Sequence, residues 1–108
     1  MEWTITGEPF EACVRPGQTL TFEWEGPYHN VERVDFDGYE NCDGFKNTEG
    51  VEGPYVFKAK REGKYYFVCG VSQISIIMQW GETLYLLQVG GHCAQGNQKA
   101  TVTVSRNC

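Results

Sequence analysis

The sequence predicts an all-β sandwich formed by a single domain over residues 1–108. Runs rich in aromatic and β-branched residues alternate with turn residues, and no amphipathic helical stretch of useful length interrupts them. A chain of 108 residues is long enough to bury one hydrophobic core. The chain-breaking pairs recur at the spacing of a sandwich, and they are Pro16-Gly17, Gly26-Pro27, Gly53-Pro54 and Glu62-Gly63.

The strands are predicted from the alternation of apolar and polar side chains. The clearest run extends from Thr19 to Trp24, where every second residue is a large apolar one. The run from Lys99 to Ser105 alternates in the same way, with alanine and valine on one face and threonine and serine on the other. Three further strands are predicted, at Val31 to Phe36, Tyr55 to Phe57 and Lys64 to Cys69.

One thiol and the two imidazoles of the chain form the most informative pattern. His29 is followed by Asn30-Val31, Cys69 ends an aromatic β-prone run, and His92 stands between Gly91 and Cys93. Two imidazoles and one thiolate are the donor set of a type 1 (blue) copper site, which a weak axial ligand completes. Zinc accepts the same donors and is the inorganic alternative.

The order of these motifs resembles the phytocyanins, the plant-type branch of the cupredoxins, from Trp3 to Val104. Each motif is weak alone, but their shared order and spacing are specific. The matching elements are Trp3, Arg15-Pro16-Gly17, Phe22-Glu23-Trp24, His29-Asn30-Val31, Tyr39 with Cys42, the run from Gly63 to Cys69, Gly91-His92-Cys93, and the run from Gly96 to Val104.

The resemblance implies a Greek-key β-sandwich of cupredoxin type that carries out one-electron transfer with one type 1 copper. It implies that His29, Cys69 and His92 are the metal ligands. It also implies a disulfide between Cys42 and Cys93.

The largest departure from the family lies between two of these ligands. Cys69 and His92 are 23 positions apart, whereas the family places them five apart, and removing Val71 to Gln88 restores the family spacing. Two β-prone runs flank Gly81-Glu82, which suits a type II′ turn and predicts an extra β-hairpin at residues 72–89. Two origins of the segment from Val71 to Gln88 remain open. It is either a genuine loop insertion or a retained intron translated in frame. The second origin is suggested by Val-Ser at its start and Leu-Gln at its end, whose codons can contain splice-site sequences.

The axial position is the second departure. The family has methionine there, or glutamine in its stellacyanin-like branch, but this chain has no methionine after Met78. Counting five residues from His92 reaches Asn97, and Gln98 is the next residue. We expect Gln98 to be the axial ligand because its longer side chain reaches further, with Asn97 as the alternative. An amide oxygen is a harder donor than a thioether, so a low reduction potential is expected.

Five cysteines in a domain of this size indicate an extracellular or other oxidising compartment. Once Cys42, Cys93 and Cys69 are assigned, Cys13 and Cys108 remain, either as a second bridge or as free thiols. No secretory signal is expected within the chain, since Met1-Glu2-Trp3 leads directly into the domain. No membrane span is expected, because no apolar run approaches about 20 residues.

The net charge of −5 is concentrated between residues 32 and 52, where seven acidic residues face Arg33 and Lys46. Such a surface argues against nucleic acid as a partner. It either steers a basic redox partner or keeps the protein soluble. A small redox molecule or a protein electron donor or acceptor is therefore the expected partner of a monomer.

The sequence does not favour an enzyme. No histidine remains for a catalytic triad once a metal takes both, and the acidic run from Asp35 to Glu40 lacks the spacing of a calcium-binding EF-hand. The alternative to an electron carrier is a phytocyanin-like module without bound copper that acts in cell-surface interactions, because the insertion could separate Cys69 from His92.

Overall fold

The computed structural model describes residues 1–46, 49–71, 76–80, 83–87, 92–93 and 97–108, with the backbone alone described for 76–80 and 83–87. Within these residues the chain forms eight strands and one short helix. In chain order they are β1 (Phe10–Val14), β2 (Thr19–Phe22), β3 (Glu32–Val34), α1 (Phe36–Asn41), β4 (Tyr55–Lys58), β5 (Gly63–Val68), β6 (Ile76–Trp80), β7 (Thr83–Leu87) and β8 (Lys99–Val104).

Two sheets build the sandwich. The larger one has the order β1-β8-β5-β3, in which β1 runs parallel to β8 and the other neighbours are antiparallel. The smaller sheet pairs β2 with β4 in antiparallel register. The prediction of an all-β fold is confirmed, and β2, β4, β5 and β8 differ from the predicted strands by only one or two residues at their ends.

The core lies between the two sheets and is mainly aromatic. The rings of Phe22 and Phe57 from the smaller sheet lie 5.2 and 5.1 Å, centroid to centroid, from the ring of Phe67 on β5. Trp3 packs edge-on against Phe22 at 5.0 Å. Burying one such side chain contributes about 1.5–3 kcal/mol to folding. Smaller buried residues fill the remaining space, among them Val14, Ala59, Ala100, Val102 and Val104.

Two elements differ from the sequence prediction. The strand predicted from Val31 to Phe36 is wrong at its end, because β3 stops at Val34 and Phe36 begins α1. The Asp35 carboxylate caps this helix by accepting a hydrogen bond from the Gly38 N–H at 2.8 Å. The prediction also lacked β1, which pairs along its whole length with β8.

The β-hairpin predicted between the two ligands is present as a pair of strands. β6 and β7 are antiparallel to each other, and their register places Trp80 opposite Thr83. Together they form a separate two-stranded sheet. The turn predicted at Gly81-Glu82 lies outside the described residues.

Two disulfides connect distant parts of the chain. Cys42, at the carboxyl end of α1, is bonded to Cys93, and Cys13 on β1 is bonded to Cys108. Of the two states left open for Cys13 and Cys108, the structure contains the bridge. In the part of the chain that the structure describes, no helix is both long and apolar enough to cross a membrane.

Candidate metal centre

Three separate segments bring the predicted ligands to one end of the sandwich. His29 precedes β3 and is anchored by an isolated bridge, in which the Val51 N–H donates to the His29 carbonyl at 2.8 Å. Cys69 directly follows β5, and its N–H donates to the Gln98 carbonyl at 2.9 Å. The His92 N–H donates to the Val71 carbonyl at 3.0 Å.

The three donor atoms converge on one point. The Nδ1 atoms of His29 and His92 are 3.1 Å apart, and the Sγ of Cys69 lies 3.4 Å from Nδ1 of His92 and 3.9 Å from Nδ1 of His29. In a site with metal–nitrogen bonds of about 2.0 Å and metal–sulfur bonds of about 2.3 Å, two ligand atoms are at most about 4.3 Å apart. All three separations are below this limit, so the donors fit a single metal ion.

Burial keeps these donors in their neutral forms. It lowers the pKa values of both histidines, and for His92 the neighbouring His29 lowers the pKa further. For Cys69 burial raises the pKa, the backbone N–H groups of Asn30 and Val71 partly offset that rise, and the Glu32 carboxylate adds to it. Neutral imidazoles are ready to bind a metal, whereas the thiol must first lose its proton.

Asn30 ties the His29 segment to the Cys69 segment. Its side-chain oxygen accepts a hydrogen bond from the Gly70 N–H at 2.8 Å, and its backbone carbonyl accepts one from the indole N–H of Trp3 at 2.9 Å. Its amide nitrogen donates to the Glu49 carbonyl at 3.2 Å and to the Glu32 carboxylate at 3.3 Å. Because Asn30 is almost fully buried, these bonds hold two ligand segments in a fixed relation.

Glu32 lies beside the ligand segment that begins at Cys69. Its carboxylate accepts a hydrogen bond from the Lys46 backbone N–H at 2.6 Å as well as the bond from Asn30. A side chain at Gly70 would displace this carboxylate and press on the Phe45 ring, so glycine allows the close approach. The negative charge of Glu32 is therefore held near the Cys69 thiol.

The two candidates for the axial position have different surroundings. Asn97 has a left-handed backbone conformation (φ 50°), and its amide nitrogen donates to the Gly7 carbonyl at 3.0 Å. Gln98 is completely buried, and neither its Oε1 nor its Nε2 makes a hydrogen bond of good geometry with any described residue. The amide nevertheless lies close enough to His29 to oppose the lowering of that histidine's pKa. The Gln98 amide oxygen is thus buried beside the donor set without a hydrogen-bond donor among the described residues, and it is available as a further ligand to a metal held there.

The Cys42–Cys93 disulfide fixes the remaining ligand segment. Cys93 is the neighbour of His92 in the chain, and Cys42 is the left-handed cap of α1. The helix itself packs on β5, since the rings of Phe36 and Tyr39 lie 5.5 and 5.3 Å from the ring of Tyr66. The bridge thus attaches the His92 segment to the same sheet that carries Cys69.

Sequence reasoning found the donor set but not the residues that support it. The roles of Trp3, Asn30 and Glu32 depend on hydrogen bonds between residues 14 to 40 positions apart, which no local pattern reveals. The one available signal was that Asn30 directly follows a predicted ligand. Metal ligands usually need hydrogen-bonded neighbours to fix their orientation. A supporting role for Asn30 could therefore have been predicted from the sequence.

A β-sandwich in which one thiol and two imidazole Nδ1 atoms meet after a central strand is the architecture of a cupredoxin. Comparison with known sequences agrees. The model of the plastocyanin-like domain family matches residues 3–97, and the chain belongs to this family. It is 28% identical over 89 residues to a protein of Petunia hybrida described as a blue copper protein. The match covers 82% of the chain but only about a quarter (27%) of that relative's length.

Solved structures support the same fold. Spinach plantacyanin is 24% identical with a TM-score of 0.59, and the match covers 95% of this chain and 93% of that protein. Cucumber stellacyanin is also 24% identical with a TM-score of 0.57, covering 93% of this chain and 73% of that protein. The predicted resemblance to phytocyanins is confirmed at the level of family and fold.

Proposed function

We propose that the protein is a one-electron carrier, not an enzyme, in which His29, Cys69 and His92 bind one type 1 copper and Gln98 is the axial ligand. The observation that carries the proposal is the convergence of the three donor atoms within 3.9 Å of one another. The membership of the plastocyanin-like family and the similarity to a Petunia blue copper protein support the choice of copper over zinc.

The residues of the chain act by holding the ligands in place before the metal arrives. The Asn30 bonds fix His29 relative to Cys69, the Gln98 carbonyl holds the Cys69 backbone, and the Cys42–Cys93 bridge restrains His92. Bound copper supplies the Cu(II)/Cu(I) couple. A ligand set that is restrained by these bonds does not need to rearrange when the charge changes, which favours rapid electron transfer.

We infer the compartment and the redox partner from the disulfides and the charge distribution. The two disulfides support an oxidising compartment, extracellular or at the cell surface. The acidic stretch between residues 32 and 52 supports a small redox molecule or a basic protein as electron donor or acceptor. We propose that the protein works as a monomer.

The experiment is copper loading of the purified protein, followed by visible absorption and electron paramagnetic resonance spectroscopy. We expect one copper per chain and an intense blue colour from thiolate-to-copper charge transfer. Cys69→Ser should abolish the colour while leaving the far-ultraviolet circular dichroism unchanged, because a hydroxyl cannot replace the soft thiolate. The matched control is the double variant Cys13→Ser/Cys108→Ser, which removes sulfur far from the donor set and should remain blue.

Two results would contradict the proposal. A Cys69→Ser protein that stays blue would refute the ligand assignment. A wild-type protein that selects zinc over copper, or binds neither metal, would refute the electron-carrier function. The alternative, a copper-free module that acts in cell-surface interactions, would then be the better description.

A further inference from the structure

Most of the basic residues of this acidic protein border two surface clefts that adjoin each other. Of its nine lysines and arginines, six line two adjoining surface clefts: Arg33, Lys46, Lys58, Lys60, Arg61 and Lys64. Asp35 is the only carboxylate among the described residues that line either cleft. Its oxygen is occupied by the cap of α1. A chain with a net charge of −5 thus carries a strongly cationic strip, which we call the basic strip.

Arg33 and Tyr65 form the wall that the two clefts share. The Arg33 guanidinium lies over the Tyr65 ring, 4.6 Å from its centroid, and the Tyr65 hydroxyl donates to the Arg61 carbonyl at 2.7 Å. Stacking holds the planar guanidinium in one orientation, so less conformational entropy is lost when its fork binds an oxyanion.

The basic strip is elongated. One end is the turn between β4 and β5, which contains Lys60 and Arg61, and the strip continues along β3 and β5 to Lys46. Strands advance about 3.3 Å per residue, so this turn lies roughly 20 Å from Cys69 at the other end of β5. The other end differs, because the Lys46 backbone is bonded to Glu32 beside the Cys69 segment. A ligand held at the turn between β4 and β5 would therefore leave the metal centre accessible. An elongated strip with repeated cations fits a linear polymer with repeated anions better than a single small anion.

The clefts also present aromatic surface. Phe36, which is 49% exposed, and Tyr66 line one cleft beside the cations, and Tyr65 borders both. Sugar rings have apolar C–H faces that pack on aromatic rings, while carboxylates on the sugars pair with arginine and lysine. Nucleic acid shares the anionic character, but the two disulfides support an oxidising compartment, extracellular or at the cell surface, which disfavours a polynucleotide ligand.

We propose that the basic strip binds an acidic polysaccharide, a chain of sugar units that carry carboxylates. This activity is independent of the proposed copper function and would localise the protein on a polymer. A polymer held at the end formed by Lys58, Lys60 and Arg61 would leave the metal centre free. It assigns a role to Arg33, Lys58, Lys60 and Arg61, which the metal centre does not use.

The test measures binding of polygalacturonate to the folded protein at low and at physiological salt. The strip variant is Arg33→Gln/Arg61→Gln, and the matched control is Arg15→Gln/Lys99→Gln, which makes the same charge change outside the two clefts. This control leaves the ion pair between Arg106 and Glu62, the chain neighbour of Arg61, intact. Losing two charge-assisted contacts should weaken binding by the strip variant about tenfold, while the control changes by less than about twofold. Circular dichroism and melting temperature verify that both variants are folded.

Binding that weakens selectively in the strip variant supports the proposal. Equal weakening in both variants would show a net-charge effect and overturn it, as would the absence of any binding at low salt. Single-stranded poly-dT and a neutral dextran serve as competing ligands, and tighter binding of either one would overturn the assignment to an acidic polysaccharide.

Discussion

The backbone N–H of His92 donates to the carbonyl oxygen of Val71 at 3.0 Å, although the two residues are 21 positions apart. This bond closes the base of the long connection between two of the proposed ligands. It explains how the Sγ of Cys69 and Nδ1 of His92 come within 3.4 Å of each other despite the intervening hairpin. The connection is long in sequence, but its two ends lie close together at the metal centre.

Deleting residues 71–88 should leave the metal centre intact. The remaining sequence Cys69-Gly70-Val89-Gly90-Gly91-His92 offers a new valine in the place of Val71, with the same backbone donor and acceptor. A connection shortened to four residues avoids closure entropy of about 1–2 kcal/mol, so copper should bind roughly tenfold more tightly. A competitive copper titration on both forms measures the ratio.

Tighter binding by the full-length form would mean that the hairpin contributes to the site, and the retained-intron hypothesis would have to be abandoned. Sequencing the transcript tests that hypothesis directly. A mature message that contains these eighteen codons identifies the segment as a genuine insertion.

Gln98→Met should raise the reduction potential of the copper form. An amide oxygen favours Cu(II), whereas a thioether favours Cu(I), and the completely buried position of Gln98 excludes water as a substitute ligand. Cyclic voltammetry measures the shift. Asn97→Ala is the control, since the Asn97 amide bonds to Gly7, and its potential should match that of the wild type. Equal shifts in both variants would argue against Gln98 as the axial ligand.

The two disulfides should have different effects on the metal centre. The chain-entropy model gives about 4 kcal/mol of stabilisation for the Cys42–Cys93 loop and about 5 kcal/mol for the Cys13–Cys108 loop. Both Cys42→Ser/Cys93→Ser and Cys13→Ser/Cys108→Ser should therefore unfold at lower urea concentration than the wild type. Only the first pair should also alter the visible spectrum, because Cys93 adjoins His92. A spectrum that is unchanged in both would show that the bridge does not hold ligand geometry.

Copper affinity should rise with pH. Burial lowers the pKa of both histidines from 6.5 and raises that of Cys69 from 9.0, so between these values the imidazoles are neutral and the thiol is protonated. Binding then releases one proton, and the apparent affinity should increase about tenfold per pH unit in this window. The increase ends above the raised cysteine pKa. Chelator competition from pH 6.5 to 8.5 measures the slope, and a flat profile would mean that the thiol is already ionised.

Alternation of apolar and polar residues was sufficient to predict β2 and β8, each of which has one face in the core. β4 and β5 were predicted instead from runs of aromatic and β-branched residues. β1 also alternates, with Phe10, Ala12 and Val14 facing inward, but Ala12 is small and the pattern is short. α1 has only six residues, too few for a helical period to appear, and it depends on the Asp35 cap.

The convergence of His29, Cys69 and His92 was predictable because histidine is rare in the chain and the motifs around the three residues are specific. Choosing between Asn97 and Gln98 was harder, since the two are neighbours and both carry an amide. The difference lies in the backbone: the left-handed conformation of Asn97 directs the two side chains to different partners. The sequence alone does not predict this backbone conformation, because it depends on the surrounding structure.

The parallel pairing of β1 with β8 has a consequence for folding. The two strands are separated by roughly ninety residues of chain, yet β8 also lies in register with β5 at the centre of the larger sheet. On a ribosome, β1 and β5 would emerge long before the strand that joins them. The larger sheet therefore forms only once β8 has been synthesised. Contacts of such high sequence separation predict slow folding, on the millisecond to second scale, with β1 exposed in the meantime.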